Sequence, residues 1–281
     1  MQRTRSSGLQ TTPTDSPHKK ENNMPENSHK VHAVEKAIAL LDCFWREKRP
    51  MSLTELSRTT GWPKSTVHNL LSSMMDSAVV EQSSADGKYR LGLHLFEYGC
   101  VISEHWNVVK FARPHLNALV AKTGESAYLA SLNGDTLLIL DSAESNNVFR
   151  VASTVGNRLP VHCTSQGKAI LAYQDVTNVR RILKRAGMKS YTVDTIKSAE
   201  AYLEQLKLVR RMGTASEYEE YHNGMCSFAA PIFDYEGVCV SAVGIVCFLH
   251  SGDRKSAVSQ ETLQALKNTA EAISTELGWH G

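Results

Sequence analysis

The sequence predicts an α+β protein with two folded parts, a winged helix-turn-helix followed by a domain with a mostly antiparallel sheet. Three observations support this fold class. Residues 61–90 combine a short turn, a helix and a two-stranded ribbon tipped by Asp86-Gly87. Short strands in the second half are joined by Gly-containing turns, and the chain ends in an amphipathic helix. A length of 281 residues suits two such domains.

The first predicted element is a helix that precedes the two helices of the helix-turn-helix. Its apolar residues should pack behind those two helices: Val34, Ile38, Leu41 and Phe44. Ser52 and Glu55 form a capping box that begins the next helix. Gly61 can supply the left-handed conformation that ends it, and Pro63 suits the first position of the following helix. The buried stripe of that helix is expected at Val67, Leu70, Leu71 and Met74.

The start of this second helix carries polar and basic side chains outside the buried stripe: Lys64, Ser65, Thr66, His68 and Asn69. In a helix-turn-helix the first residues of the second helix meet base edges in the major groove. Lys can donate to guanine, and Asn can pair with adenine. Lys88 and Arg90 on the return strand of the ribbon suit phosphate contacts. A three-helix domain with a solvated polar face is the alternative, and the wing together with the polar helix start favours DNA binding.

Composition limits the other possibilities. The formal net charge is only +2, so the whole surface does not attract polyanions. Six cysteines are scattered without a CxxC pair, and we expect reduced thiols in a cytoplasmic protein. The first residues lack the apolar core of a signal peptide, and no apolar run of about 18 residues predicts a membrane span. Polar residues 1–29 are expected to be a disordered tail.

The remaining boundaries follow from periodicity. The winged helix-turn-helix is predicted at residues 30–92, a linker helix and candidate dimer contact at 93–111, and the second domain at 112–281, with Pro114 starting a new helix. In that domain we predict strands at 126–132, 136–142, 148–153, 225–233 and 238–249, and helices at 165–173, 176–186, 199–212 and near the C-terminus.

Two segments of the second domain carry candidate site chemistry, residues 156–172 and 213–234. In the first, Thr164, Ser165 and Gln166 precede Gly167 and an apolar helix. The N–H groups that are free at a helix start can bind a small carboxylate. In the second, acidic residues that include Glu217 precede an apolar strand.

With these motifs, the chain resembles the IclR family of bacterial transcription regulators over about residues 31–280. The resemblance is carried by PKSTVH at 63–68, GKYRLG at 87–92, LPVHCTSQGKAILA at 159–172 and the EE…G…AAPIFD…G pattern at 219–237. It implies a GAF-like C-terminal effector domain, homodimers or homotetramers on palindromic operators, and a small organic acid as effector. We predict no cofactor.

The resemblance also implies a ligand pocket in the second domain. Its residues would be Val148, Val151, Leu159, Ser165, Gln166, Glu217, Met225, Ser227, Gly244 and Val246. The family commonly has a small residue at position 166, and often Asp at 217 and Cys at 227. Gly244 and Val246 stand where small hydroxyl residues are common. These departures favour a ligand with an apolar portion, or a pocket of altered polarity.

Other functions find less support in the residues. His162 and Cys163 are adjacent, so on a strand they would point to opposite faces and could not form a catalytic dyad. His222 and Cys226 are too few ligands for zinc. We therefore predict no catalytic residue, no metal and a ligand-responsive transcriptional regulator, with repression favoured over activation. The alternatives are an enzyme with a DNA-binding appendage and a DNA-binding protein with a purely oligomerising C-terminal domain.

Overall fold

The computed structural model describes residues 31–105, 107–147, 154–249 and 258–281, with side chains outside 103–107. The predicted tail at 1–29 and the predicted strand at 148–153 lie outside the described residues. The chain divides between Glu97 and Tyr98 into two compact units, and each is described by itself.

The N-terminal unit is a winged helix-turn-helix, as predicted. Its elements are α1 (His32–Glu47), α2 (Leu53–Thr60), α3 (Lys64–Asp76), β1 (Val80–Gln82) and β2 (Tyr89–Leu91). The two strands pair antiparallel and form the wing. Helices and wing enclose one apolar core, which contains Leu40, Phe44, Leu56, Val67, Leu71, Val80 and Tyr89.

The capping box that opens α2 is confirmed. The Ser52 side chain accepts a hydrogen bond from the Glu55 N–H, and the Glu55 carboxylate accepts one from the Ser52 N–H at 2.8 Å. Gly61 ends α2 in the left-handed conformation at φ +73°. Pro63 is the N-cap of α3, one residue ahead of the predicted position. These three residues fix the turn that presents α3.

The stripe predicted for α1 is wrong in part. Phe44 is buried, but Val34 and Ile38 are 58% and 53% exposed. The buried face of α1 is instead formed by Leu40, Cys43 and Phe44. Periodicity locates an apolar face on a helix but does not say whether the same chain covers it. The N-terminal half of α1 therefore carries apolar side chains that the described residues do not cover.

The division between the units falls inside α4, and the C-terminal unit follows. Its elements are α4 (His94–His105), α5 (Asn107–Thr123), β3 (Ser126–Asn133), β4 (Thr136–Ala143), β5 (Arg158–Pro160), α6 (Ser165–Leu171), α7 (Val176–Ala186), α8 (Ala199–Met212), β6 (Ala215–Tyr218), β7 (Met225–Phe233), β8 (Cys239–Phe248) and α9 (Gln260–Glu276).

The described strands of this unit form one antiparallel sheet in the order β5-β4-β3-β8-β7-β6. One face packs against α5 and α9 through an apolar core that includes Leu116, Leu129, Phe228 and Leu266. The other face packs against α6 and α8 through a second core that includes Val161, Ile170 and Tyr202. Helices on both faces leave the candidate site on the α6 side of the sheet.

The prediction that Pro114 starts a helix is wrong. Helix α5 begins at Asn107 and continues through Pro114. An interior proline removes a helical hydrogen bond and costs about 3 kcal/mol. Ala112, Leu116 and Leu119 are buried in the core beneath the sheet, so burial on both sides of the proline offsets that cost.

Candidate DNA interface and effector cavity

The polar start of α3 forms one exposed surface. Lys64, Ser65, His68 and Asn69 are exposed and Thr66 is half-buried. Val67, Leu71 and Met74 lie on the opposite side of the helix, in the core. The structure therefore brings together the five residues predicted to meet bases, on a helix held by the turn at Gly61.

The two wing residues predicted to contact phosphates, Lys88 and Arg90, have different surroundings. Lys88 is half-buried, and its N–H donates to the Asp86 carboxylate at 3.2 Å. The Arg90 guanidinium is held by Glu81, with Nε and Nη2 donating to Oε2 at 3.2 and 3.0 Å. The other Glu81 oxygen accepts from the Leu93 N–H at 3.1 Å. The Leu93 and Arg90 hydrogen bonds lower the pKa of Glu81, so an Arg90–phosphate contact would have to replace an existing ion pair.

The C-terminal unit contains a cavity of about 230 Å³ on the α6 side of the sheet. Its walls come from six strands, from the start of α6 and from the segment between β6 and β7. The lining residues are Tyr128, Ile139, Asn157, Leu159, Thr164, Gln166, Glu217, Tyr221, His222, Met225, Ser227 and Val246.

Six of the ten predicted ligand residues line this cavity: Leu159, Gln166, Glu217, Met225, Ser227 and Val246. Ser165 lies beside it, and its hydroxyl donates to the Gln166 Oε1 at 3.2 Å. Gly244 lies beneath the Gln166 side chain. Val148 and Val151 lie outside the described residues.

Sequence reasoning named Thr164 only as part of the helix start that could bind a carboxylate, and it missed the other five lining residues: Tyr128, Ile139, Asn157, Tyr221 and His222. Strand alternation places Tyr128 and Ile139 on one face of the sheet, together with residues of the second half of the chain. Alternation alone does not say which part of that face faces a cavity, since the neighbouring Ala242 and Ala229 pack in the core instead.

Glu217 is the buried carboxylate of the cavity and is 5% exposed. The Ser227 hydroxyl donates to its Oε1 at 2.8 Å, and the Glu220 N–H donates to its Oε2 at 3.1 Å. Burial raises the pKa of Glu217 to about 7, against the opposing effect of these two hydrogen bonds. The side chain therefore exchanges a proton near neutral pH and can both donate and accept hydrogen bonds there.

A buried ion pair between Lys168 and Glu220 supports this wall. The Lys168 ammonium also donates to the Ser216 carbonyl at 3.2 Å. Burial lowers the pKa of Lys168, and Glu220 opposes that shift. Lys168 thus meets a carboxylate near its helix and holds α6 against the segment that carries Glu217.

The His162–Cys163 pair lies in a turn, so the strand geometry used to exclude a dyad is wrong. The His162 Nε2–H donates to the Lys189 carbonyl at 2.9 Å. Burial raises the pKa of the Cys163 thiol, which disfavours the thiolate that a nucleophile needs. Within the described ranges, no group of His, Cys, Asp or Glu side chains could hold a metal ion.

A winged helix-turn-helix with a polar recognition surface, joined to a domain with a small-molecule cavity, defines a ligand-binding transcriptional regulator. The family comparison agrees for each part. Residues 33–84 match the IclR helix-turn-helix domain, and residues 100–275 match the C-terminal domain of the bacterial transcriptional regulator IclR. The chain belongs to the IclR family.

Individual relatives are also regulators. The chain is 33% identical over 252 residues to the HTH-type transcriptional regulator KdgR of Dickeya chrysanthemi, covering 89% of this chain and 81% of KdgR. An IclR transcriptional regulator from Alicyclobacillus acidocaldarius has a similar structure, with a TM-score of 0.73 and 28% identity over 89% of this chain and all of that one.

A second solved structure shares the fold. It is an IclR homologue from Microbacterium hydrocarbonoxydans in complex with 4-hydroxybenzoate, with a TM-score of 0.76 and 24% identity over 87% of this chain and 98% of that one. In the part of this chain that the structure describes, no helix is both long and apolar enough to cross a membrane.

Proposed function

We propose that this regulator binds a small organic acid in the C-terminal cavity and that occupancy changes its affinity for a palindromic operator. The main support for this proposal is the cavity itself. The buried Glu217, the Gln166 amide and the Ser227 hydroxyl line it together with apolar side chains. A few polar groups in an apolar pocket are typical of a small-molecule site. The 4-hydroxybenzoate complex of the Microbacterium homologue supports an acid as the ligand class.

The size of the cavity limits the ligand. About 230 Å³ lies below the roughly 300–1,000 Å³ typical of drug-sized ligands, so the effector is a small metabolite. Tyr128, Ile139 and Leu159 provide an apolar wall for its carbon skeleton. Glu217 and Ser227 provide a polar wall for its hydroxyl or carboxyl groups.

On DNA, the side chains at the start of α3 contact bases in the major groove: Lys64, Ser65, Thr66, His68 and Asn69. Lys88 and Arg90 contact phosphates from the wing. This assignment is supported by the shared exposed face of the α3 residues. The protein acts on a genome and therefore in the cytoplasm.

Regulation requires at least a homodimer, and a homotetramer is consistent with the same surfaces. Apolar side chains are uncovered on α1, at Val34 and Ile38, and on α4, at Phe96 and Ile102. Two recognition helices spaced one DNA turn apart bind a palindrome tightly. An effector shifts the equilibrium between two arrangements only by its different affinity for each. Repression, relieved or strengthened by the acid, is the favoured mode.

Fluorescence anisotropy tests this function, using DNA from upstream of the protein's own and adjacent genes against excess random DNA. Binding that survives the competitor, and that changes when small keto, hydroxy or aromatic acids are added, supports the proposal. Binding that is lost equally to random DNA leaves only phosphate attraction and contradicts it.

The two alternatives make different predictions in the same experiment. A purely oligomerising C-terminal domain would bind no acid at any concentration that leaves DNA binding intact. An enzyme with a DNA-binding appendage would turn over a bound acid, and the product would be detected by NMR of the incubated mixture.

A further inference from the structure

Gly244 is a glycine that its own backbone does not require. It lies in the middle of β8, paired with Tyr128 on one side and Ala229 on the other, and it is not among the residues with a positive φ. A glycine inside a strand costs about 0.5–1 kcal/mol relative to alanine. Such a glycine often marks the close approach of another group.

The group that approaches Gly244 is the side chain of Gln166. A Cβ atom added at Gly244 would lie 2.4 Å from the Gln166 Nε2 and 2.7 Å from its Cδ, both far inside van der Waals contact. The carboxamide of Gln166 thus occupies the space that a side chain at position 244 would take. The two residues lie 78 positions apart in the sequence yet fill one volume on the cavity side of the sheet.

The backbone around Gln166 is closely packed, so the point from which its side chain extends is fixed. At the next residue, a Cβ atom on Gly167 would lie 2.0 Å from the Val161 carbonyl oxygen. The first turn of α6 is therefore pressed against the preceding turn. Lys168, one residue further, is anchored by its buried ion pair with Glu220.

The Gln166 carboxamide is also only half satisfied. The side chain is 3% exposed, and its Oε1 accepts a hydrogen bond from the Ser165 hydroxyl. Its Nε2 makes no hydrogen bond to any residue that the structure describes. A residue that lines the cavity and holds an unused donor is suited to an oxygen atom of a ligand.

We propose that Gln166, seated in the space left open by Gly244, determines the ligand specificity of this cavity. Its carboxamide closes one end of the cavity and sets the length of the ligand. Its Nε2–H donates to a carboxylate or carbonyl oxygen of a short organic acid. This inference rests on the proposed function, because it identifies the group that selects the effector.

Two further polar side chains of the same cavity complete the selection. Glu217 and Ser227 lie on β6 and β7 and are joined to each other by the Ser227 hydrogen bond. A ligand hydroxyl can donate to the Glu217 carboxylate while the acid end meets Gln166. The cavity therefore favours a short hydroxy acid over a longer acid without a hydroxyl group.

The test uses four variants of the full-length protein: Gln166→Ala, Gln166→Glu, Gly244→Ala and the double variant Gln166→Ala/Gly244→Ala. Binding is measured by calorimetry and thermal shift with pyruvate, glycerate, gluconate and 4-hydroxybenzoate as probes. Ala242→Ser, alone and with Gln166→Ala, is the matched control, because it adds one atom to the same face of β8 within the apolar core.

We expect Gly244→Ala to push the carboxamide into the cavity and to weaken the best probe at least tenfold. The double variant should recover binding relative to Gly244→Ala and accept a longer acid than the wild type. Gln166→Glu replaces the N–H donor by a carboxylate and should weaken every acid roughly tenfold to hundredfold. Gln166→Ala should not rescue any effect of Ala242→Ser.

Two results would overturn the inference, and they differ from each other. If a probe binds the wild type and the effects of Gln166→Ala and Gly244→Ala on its affinity are simply additive, Gln166 does not select the ligand. If no probe binds the wild type, the proposed effector function fails, and this inference fails with it. In that case the melting temperatures of the ligand-free variants still test whether Gln166 and a side chain at position 244 compete for the same space. If they do, the double variant is more stable than the sum of the two single effects predicts, because removing the Gln166 side chain relieves the clash.

Discussion

The carboxylate of Glu217 makes the stability of the protein depend on pH, and Glu217→Gln should remove its contribution to that dependence. An unperturbed Glu side chain titrates near 4.5, whereas burial raises the pKa of Glu217 in the folded protein to about 7. Below pH 4.5 the side chain is protonated in both the folded and unfolded states. Between pH 4.5 and 7 the unfolded state releases the proton first, so the free energy of unfolding falls as the pH rises.

The magnitude follows from the width of this window. One pKa unit corresponds to 1.36 kcal/mol, so the shift removes about 3 kcal/mol of stability at pH values above 7. Between pH 5 and pH 8 the expected loss is about 2–3 kcal/mol. Because Glu217 is 5% exposed, solvent screening reduces this value little.

Urea denaturation, followed by circular dichroism at pH 5, 6, 7 and 8, measures the effect. The Gln side chain can still accept from the Ser227 hydroxyl, but its NH₂ group cannot accept from the Glu220 N–H. Glu217→Gln should therefore carry a constant cost of about 1–3 kcal/mol and lose the part of the pH slope that Glu217 contributes. Glu204→Gln, on the exposed face of α8, is the control and should keep the slope. Parallel pH curves for wild type and Glu217→Gln would refute the assignment of a raised pKa.

The remaining predictions concern the DNA surface and the packing of α6. Asn69→Ala should lose affinity mainly at particular operator bases, whereas Lys88→Ala should weaken binding to all DNA and reduce its salt dependence. Anisotropy with operator and random DNA over a salt series distinguishes the two effects. Equal losses of affinity for both DNAs in Asn69→Ala would contradict a base contact. Gly167→Ala should destabilise the C-terminal unit by about 3 kcal/mol or more, because its Cβ would lie 2.0 Å from a backbone oxygen. Thermal denaturation measures this loss, and Gly99→Ala is the control. Gly99 is a helical glycine with open space around its Cβ position, so its substitution should be neutral or stabilising. Similar losses of stability for the two variants would argue against the close approach of Gly167 to the Val161 carbonyl.

Much of the fold was predictable because capping residues and glycines mark the ends of its helices in the sequence. Helices α7 and α8 have the predicted bounds, since each begins after a capping side chain, Asp175 or Ser198, and ends before a left-handed glycine, Gly187 or Gly213. Strand β7 also has its predicted bounds. These signals lie within a few residues of the boundary that they set.

The candidate site was predictable only in part because it depends on contacts between distant residues. The sequence shows a glycine at position 244 and a glutamine at position 166, but not that one fills the space of the other. Likewise, the course of α5 through Pro114 is decided by burial against the sheet and α9. Both outcomes reflect tertiary packing, which local sequence does not encode.

The contacts around Glu217 indicate where the response to a ligand begins. Glu217 is bonded to the Glu220 N–H, the Glu220 carboxylate is paired with Lys168 on α6, and the Glu220 carbonyl accepts from the Thr195 hydroxyl at 2.7 Å. The cavity wall is thus joined by directional bonds to α6 and to the connection between α7 and α8. The opposite face of the sheet packs on α5 and α9 through an apolar core, and hydrogen bonds join it to both helices: Arg113 on α5 donates to the Ser142 carbonyl at 3.1 Å, and the Phe233 N–H donates to the Ser274 hydroxyl on α9 at 3.0 Å. We therefore expect a ligand that changes the protonation or the partners of Glu217 to act first on α6 and on the α7–α8 connection, because both are bonded to Glu220.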